Sequence, residues 1–540
     1  MATLKPDAGM RNLDHYKNKL PLWRYNPRQR LIPFIRQETP YLAWLQDHCR
    51  TPVLDSYFAI TANLGTHTAF VVMLPILFWF GYTHLGRAIV HVLALGVYWS
   101  GFVKDLLCLP RPLSPPIQRI TMSGTAALEY GFPSTHSTNA MSVVVYSFFC
   151  LHSSDSTFSP STKLILEICL YWYAVSIIFG RMYCGMHGFF DVVIGMVIGA
   201  SVSLLQWGFG NAFDEFILNG SIKSLFFTIG VILLLIRVHP EPADDCPCFD
   251  DSVCFSGVLI GAEIGNWHYA GSKYSWNEPV PATVPFQYQE LGLTISILRV
   301  VVGVGIIIVW REIAKPTLLR FLPPLFRVLE NFNLNLPRRF FTVASQYEKV
   351  PKDLKDDNVI PSVSEIPTLL DNMRHPRLRA ISVGPQSEAD AYEALAYHEQ
   401  RRRESMNSPN PDLMKDNEKG LNGDAHKYFD ETILPKRPLS FPTRPNFELH
   451  RYEPQIGNGT AISPFYGMKH EKNQISIDMN EDVIDEKPDA EDEQRVFSTL
   501  EKPRVRYDVE VVTKLVVYTG VAWLAVEGNP ILFQLMGLGL

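Results

Sequence analysis

The sequence predicts an all-α polytopic membrane protein: eight or nine transmembrane helices with a core helical bundle, followed by a long, largely disordered polar tail. Three observations carry that prediction. Ser56 to Gly86 contains no Asp, Glu, Lys or Arg, which is longer than the ~20 apolar residues a helix needs to cross a bilayer. Eight further apolar runs follow it. The mean hydropathy of +0.02 averages a very apolar part up to about Trp310 and a strongly polar part up to about Arg506. Charged residues are only 19% of the 540-residue chain, below the roughly 25% of a soluble domain, so a single soluble globule is excluded.

Taken in order, the predicted spans are Ser56 to Gly86, Ala88 to Val103, Asn139 to His152, Leu164 to Gly180, Val192 to Phe213, Ser224 to Val238, Val253 to His268, Leu291 to Trp310 and Val511 to Val526. Five segments result: a basic N-terminal segment (1–51), a multi-span membrane domain (52–312), an amphipathic juxtamembrane segment (313–344), a polar and mostly disordered region (345–506) and a C-terminal hydrophobic helix (507–540). The first forty residues hold eight Lys or Arg against three acids and no apolar run of signal-peptide length, so insertion is expected to use the first internal span. The polar region is rich in Pro, Asp, Glu, Lys and Asn. It cannot bury enough apolar area to offset its ordering entropy, although a short helix over 388–404 is expected. Basic residues before Ser382 and Ser405 are weak phosphorylation signals.

Net charge is −6, from 49 basic and 55 acidic side chains, which argues against nucleic acid as a partner. Eight cysteines are too few for a disulfide scaffold. The bilayer is the partner that composition implies.

Polar clusters interrupt the apolar part at three span ends. The first is Lys104 with Arg111 and Pro112. The second is Pro133-Ser134-Thr135-His136, opening the third span. The third is Arg181, His187 and Asp191, between spans four and five. Span two delivers the first cluster to one membrane face, span three starts from that face, and spans three and four make a round trip. All three clusters therefore meet in one pocket.

Lys104, Arg111 and Arg181 supply three cations, two of them guanidinium forks suited to phosphate oxygens. Ser134 and Thr135 sit where span three begins, beside the N–H groups of a helix N-terminus, which favours anions. His187 and Asp191 are four apart, so on a helix they share a face and the carboxylate can hold the imidazole in one tautomer. An oriented neutral imidazole can attack phosphorus, and His136 can protonate the departing alkoxide. No Cys/His spacing suggests zinc and no acidic cluster suggests magnesium. The chemistry is expected to need neither metal nor cofactor.

At these residues the sequence resembles the type 2 phosphatidic acid phosphatase superfamily, whose three-part signature looks like Lys-x6-Arg-Pro, Pro-Ser-x-His and Arg-x5-His-x3-Asp. The intervals fit, with 20 residues between Pro112 and Pro133 and 44 between His136 and Arg181. Two positions depart from the pattern: Thr135 stands for the usual glycine and Gly180 for a frequent serine, which removes one phosphate hydrogen bond. Glu129-Tyr130-Gly131-Phe132 before Pro-Ser-Thr-His resembles sphingosine-1-phosphate phosphatases. Leu20 to Ala59, with Trp23-Arg24-Tyr25, resembles fungal long-chain-base phosphate phosphatases. The resemblance covers roughly Leu20 to Trp310.

The resemblance implies that Lys104, Arg111, Ser134, Thr135 and Arg181 bind phosphate, that His136 is the acid, His187 the nucleophile and Asp191 its orienting partner. It implies a multi-pass endoplasmic reticulum enzyme of sphingolipid metabolism. Such an enzyme hydrolyses dihydrosphingosine, phytosphingosine or sphingosine 1-phosphate to free base and phosphate through a phosphohistidine. The alternatives are a broader lipid phosphate or polyprenyl pyrophosphate phosphatase, and a lipid-phosphate transporter or receptor using the same cations without turnover. An oriented nucleophile separates the last from the others, because binding alone does not need one.

Other polar residues carry structural expectations. Glu263 and Arg299, inside adjacent spans, are expected to pair with each other or with backbone. His67 and His91 are expected to be satisfied core histidines. Cys246, Cys248 and Cys254, beside Asp244, Asp245, Asp250 and Asp251, are expected on a solvated loop. Gly195 and Gly199 are spaced for close helix packing. The positive-inside rule makes the pocket face cytosolic, whereas the resemblance implies a lumenal site; glycosylation acceptors at Asn219 and Asn458 lie on opposite sides in this topology.

Overall fold

The computed structural model describes residues 8–11, 13–114, 117–120, 128–154, 158–334, 338–351 and 505–539. The predicted disordered region lies almost wholly outside them, as do the 388–404 helix, Ser382, Ser405 and Asn458. Chain contacts divide the protein into two units, one of residues 7–9, 14–383 and 501–540 and one of 1–6, 10–13 and 384–500. The helices below are built from the first.

The N-terminal segment folds into α1 (Leu13–Lys19), α2 (Leu22–Gln37) and α3 (Thr39–Cys49). The apolar part then forms α4 (Pro52–Ala62), a 3-10 turn (Asn63–Gly65), α5 (His67–Trp79), α6 (Thr83–Leu107), α7 (Thr135–His152), α8 (Pro160–Tyr183), α9 (Phe189–Leu218), α10 (Ile222–Val238), α11 (Cys248–Ala270) and α12 (Tyr288–Asn331). After the long polar region come α13 (Val509–Trp523), a π turn (Leu524–Gly528) and α14 (Asn529–Leu535). A parallel two-residue pair, Phe341–Thr342 with Arg506–Tyr507, is the sole sheet among the described residues.

By length and composition α6, α8, α9, α12 and Val509–Leu535 can each cross a membrane, and the bent pair Pro52–Gly65 with Ala69–Trp79 makes up to six. That is fewer than the eight or nine spans expected, for a physical reason. α10 has 17 residues. α7 and α11 bury polar side chains against other helices, including Ser137, Thr138, Asn139 and Ser142 on α7 and Asp250, Glu263 and Asn266 on α11. α12 also runs on through the expected juxtamembrane segment to Asn331.

The core forms around α6, whose apolar window is 78% buried against 17% for that of α8. Val92, Leu93 and Val97 of α6 pack with Trp79, Phe255, Tyr518 and Val526. The outer helices present large apolar side chains outward, such as Leu164, Ile168 and Val175 on α8 and Val193, Val197 and Leu204 on α9. In water such a continuous apolar surface would drive association; a hydrocarbon solvent satisfies it.

Small residues bring the central helices together. A Cβ on Gly195 would lie 2.6 Å from the Ser134 carbonyl oxygen, and one on Gly199 would strike the Thr138 carbonyl oxygen. α9 therefore lies directly on the first two turns of α7, at the positions the sequence reading marked. A second stripe was not foreseen, although its four-residue spacing was visible. Gly257 and Gly261 of α11 meet the Leu515 and Thr519 carbonyls, and Gly265 meets Val526, which seats α13 on α11.

The interior charges find partners, some unexpected. Glu263 pairs with His91, Nε2 to Oε1 2.6 Å. Arg299 instead donates to the carbonyls of Leu538, Trp79 and Pro285. The cysteine and aspartate segment is no solvated loop: Cys246, Cys248 and Cys254 are buried. Asp244 accepts from the Tyr16 and Tyr130 hydroxyls and the Gly9 N–H, and Asp250 faces Arg506 and Lys514. Partners that close this segment lie more than 100 residues away in sequence, so local polarity suggested solvent. The side chain of His67 lies outside the described residues.

Candidate active site

Three chain segments meet at one end of the bundle, and each is fixed by backbone before any side chain is placed. The first leaves α6. Cys108 takes a left-handed conformation (φ 53°) and its N–H returns to the Lys104 carbonyl, which ends the helix and sends the chain toward Arg111. The N-terminal segment locks this corner. Arg24 donates to the carbonyls of Asp105, Leu106 and Glu241, and Arg28 to those of Cys108 and Gly9. Two arginines that the charge count treats as topological signals are thus structural clamps.

The second segment, Glu129 to Ser134, lies along the first: the Gly131 N–H bonds the Leu109 carbonyl at 3.0 Å. A Cβ at residue 131 would approach the Arg111 Cα to 2.8 Å, so glycine permits the contact. Ser134 then caps α7, its Oγ accepting the Ser137 N–H at 3.3 Å.

The third segment leaves α8 at Arg181, whose carbonyl accepts the N–H groups of Met186 (3.1 Å) and His187 (3.4 Å). Gly185 makes the turn with φ +64°. α9 begins at Phe189, and its carboxylate Asp191 accepts the Gly188 N–H at 2.9 Å. Glu38, missed in the sequence reading, accepts the Phe190 N–H at 2.8 Å. The Ser134 N–H bonds the Asp191 carbonyl at 3.0 Å, which ties the second segment to the third.

His187 stands at the centre of this corner. Its Nδ1 is 2.8 Å from the Gly131 carbonyl, and a carbonyl can only accept, so the proton sits on Nδ1 and Nε2 is the unprotonated nitrogen, which accepts from Arg111. Arg111 Nη1 lies 3.3 Å from that Nε2 and donates to the Met186 carbonyl at 2.9 Å. Burial, then the charges of Arg111, Arg181 and Lys104, then His136, hold the ring well below the ordinary imidazole range. His187 is therefore neutral at neutral pH.

Asp191 differs from its expected geometry. His187 precedes α9, so the two do not share a helical face, and Nδ1 to Asp191 Oδ2 is 3.8 Å. Asp191 closes the helix N-terminus by accepting the Gly188 N–H, while the Gly131 carbonyl sets the tautomer. Ser134 is fully buried, with its oxygen accepting from Ser137, and Thr135 Oγ1 accepts from Ser100 at 3.2 Å. Each hydroxyl oxygen thus accepts a local hydrogen bond, and its own proton can still be donated to a phosphate oxygen. His136 is half-buried on the first turn of α7, with Gly65 beside it: a Cβ there would lie 3.2 Å from His136 Cδ2.

Lys104 and Arg181 are buried at 2% and 7% exposure, and the Arg181 Nε has no hydrogen-bond partner among the described residues. An orphaned buried guanidinium donor in a field of two further cations is suited to an anion. One carboxylate sits among them: Glu129 Oε2 is 2.7 Å from Arg111 Nη2 and 3.3 Å from Lys104 Nζ. The sequence reading quoted Glu129 only as part of a resemblance. Among the described residues the one group of side chains able to hold a metal ion is Asp105, Cys246 and Cys248, with donor atoms within 4.8 Å of one another, and none of these belongs to the three clusters.

The PAP2 superfamily matches residues 85–213, which include every residue of the three clusters. A dihydrosphingosine 1-phosphate phosphatase of Schizosaccharomyces pombe is 39% identical over 327 residues, covering 59% of this chain and 77% of that protein. A dihydrosphingosine 1-phosphate phosphatase of Saccharomyces cerevisiae is 35% identical, covering 58% and 76%, and the human sphingosine-1-phosphate phosphatase 2 is 26% identical, covering 53% and 73%. The chain belongs to the PAP2 superfamily. No solved structure matches it.

Proposed function

We propose that this protein is a multi-pass membrane phosphatase that hydrolyses sphingoid long-chain-base 1-phosphates to the free base and phosphate. The observation that carries the reading is a neutral imidazole, His187, with its Nε2 facing the Arg111 guanidinium and its proton pinned by Gly131. The names of the fungal and animal relatives supply the substrate class.

His187 Nε2 attacks phosphorus and the P–O ester bond breaks. His136 gives its proton to the departing alkoxide, so the base leaves with a neutral hydroxyl. Water then attacks the phosphohistidine; His136 takes its proton, the P–N bond breaks and phosphate departs. Lys104, Arg111 and Arg181 hold the equatorial oxygens, where charge develops, and the first turn of α7 adds its N-terminal field. Asp191 stabilises the positive ring that attack creates. The substrate's single chain enters sideways from the bilayer, and the endoplasmic reticulum is the membrane proposed from the resemblance.

The test is phosphate release by the purified full chain in EDTA, with dihydrosphingosine 1-phosphate compared against phosphatidic acid. Preference for the sphingoid phosphate supports the reading. Equal or reversed preference makes this a broader lipid phosphatase, and binding without release makes it a transporter or receptor.

A further inference from the structure

The two cations that should receive the phosphoryl group already hold a carboxylate. Glu129 Oε2 bridges Arg111 Nη2 at 2.7 Å and Lys104 Nζ at 3.3 Å. The cations are 4% and 3% exposed while Glu129 is 29% exposed, so the carboxylate lies on the open side of the pair. A phosphoryl dianion cannot reach Lys104 and Arg111 without displacing it.

Glu129 cannot go far. Its own carbonyl accepts from Arg111 Nε at 3.2 Å. The next residue, Tyr130, is anchored through its hydroxyl, which bonds Asp244 Oδ2 at 3.1 Å, and Gly131 is bonded to Leu109. The backbone is therefore fixed at the pocket edge, and a change of partner at the carboxylate has to come from rotation of the side chain. Once displaced it remains within a side chain's length of the bound phosphate. A carboxylate left beside a phosphate is repelled unless a cation joins them. Lys104, Arg111 and Arg181 carry three positive charges against the phosphoryl group's two and Glu129's one, so the sum is balanced, and a further cation on the substrate would pair with Glu129 directly.

The sphingoid bases supply that cation. Their ammonium is on the carbon next to the one bearing the ester oxygen, within reach of a group at the phosphate's edge. Glycerol-based lipid phosphates carry no charge there. We propose that Glu129 is the ammonium subsite: it releases Lys104 and Arg111 to the phosphoryl group, takes the amine of the incoming lipid, and disfavours phosphate esters that lack one. The proposal rests on the sphingoid phosphatase reading and adds the device that gives it specificity.

The experiment uses the full chain in vesicles and compares kcat/KM for three substrates: dihydrosphingosine 1-phosphate, the same lipid with its amine acylated, and a single-chain glycerol phosphate. The wild type is expected to prefer the free amine. Glu129→Gln is expected to compress that preference by about 10- to 100-fold, the range of a charge-assisted hydrogen bond, and Glu129→Asp to restore part of it. A merely structural role would lower all three substrates together and leave their ratios unchanged; that result overturns the proposal while leaving the sphingoid phosphatase reading in place, and a wild type indifferent to the amine overturns the proposal and makes the protein a broader lipid phosphatase. A wild type that releases no phosphate from dihydrosphingosine 1-phosphate overturns both.

Discussion

His187 Nδ1 lies 2.8 Å from the backbone oxygen of Gly131 and 3.8 Å from the nearest oxygen of Asp191. The imidazole is held by a main-chain carbonyl fifty-six residues earlier in sequence, and the carboxylate four residues away caps the helix; the role proposed for it in catalysis is electrostatic. Asp191→Asn keeps the capping geometry and loses the charge. It is expected to lower kcat about 10- to 100-fold with KM and melting temperature nearly unchanged, whereas Asp191→Ala also loses the cap, worth ~1 kcal/mol. Paired kinetics and thermal unfolding check this; a wild-type kcat in the Asn variant refutes the electrostatic role.

His187→Gln is expected to lose at least ~10³-fold in kcat without losing expression or the melting transition, because its neighbours are held by backbone bonds that do not involve the imidazole. Trapping of labelled phosphate on the wild type, absent in the variant, is the direct measurement. Substantial turnover by the variant would refute the nucleophile.

The pH dependence follows from burial and cationic neighbours holding His187 well below its usual 6.5. The attacking ring stays neutral as pH falls through 6.5, so the acid limb of kcat/KM for the free enzyme should lie below that value. Stability behaves oppositely: below 6.5 the unfolded chain binds a proton there that the folded protein resists. The contribution of His187 to folding therefore weakens as pH falls from 6.5 toward its native value. A pH–rate profile and thermal unfolding between pH 5 and 7 test both signs. An acid limb above 6.5 contradicts the environment described.

Gly195 sets the distance between the element bearing Asp191 and the one bearing His136. Gly195→Val forces α9 away from the Ser134 carbonyl and is expected to cost ~1–3 kcal/mol of stability and to lower kcat. Gly208→Val on the same helix, where a Cβ meets nothing within 4 Å, should change neither. Equal behaviour of the two variants would show that the helix contact does not position the site.

Much of the site was legible because its chemistry is carried by residue type at span ends. Lys104, Arg111, Arg181 and His187 were recognisable as polar groups at the ends of apolar runs; the count of crossings that brought them to one face took α7 as a span, and α7 is not among the helices long and apolar enough to cross. Glu38, Glu129 and the Gly131 carbonyl were not assigned roles, because a carboxylate on a loop or a backbone oxygen has no periodic signal. Asp191 was misread for a related reason: four-residue spacing indicates a shared face only inside a helix, and the helix starts after His187. The same limit applies to sidedness, since Arg24 and Arg28 are engaged by carbonyls and their charge does not report which side they face.

The sequence by itself determined an apolar, multi-helical chain with three cations and two histidines grouped at the ends of its apolar runs, because hydropathy and residue order are properties of the linear chain. Only the tertiary structure decided which atom pins the His187 tautomer, which acid meets Lys104 and Arg111, and that the cysteine-rich segment is interior. Those outcomes depend on distances between residues far apart along the chain, set where glycines let helices α7 and α9, and α11 and α13, come into backbone contact.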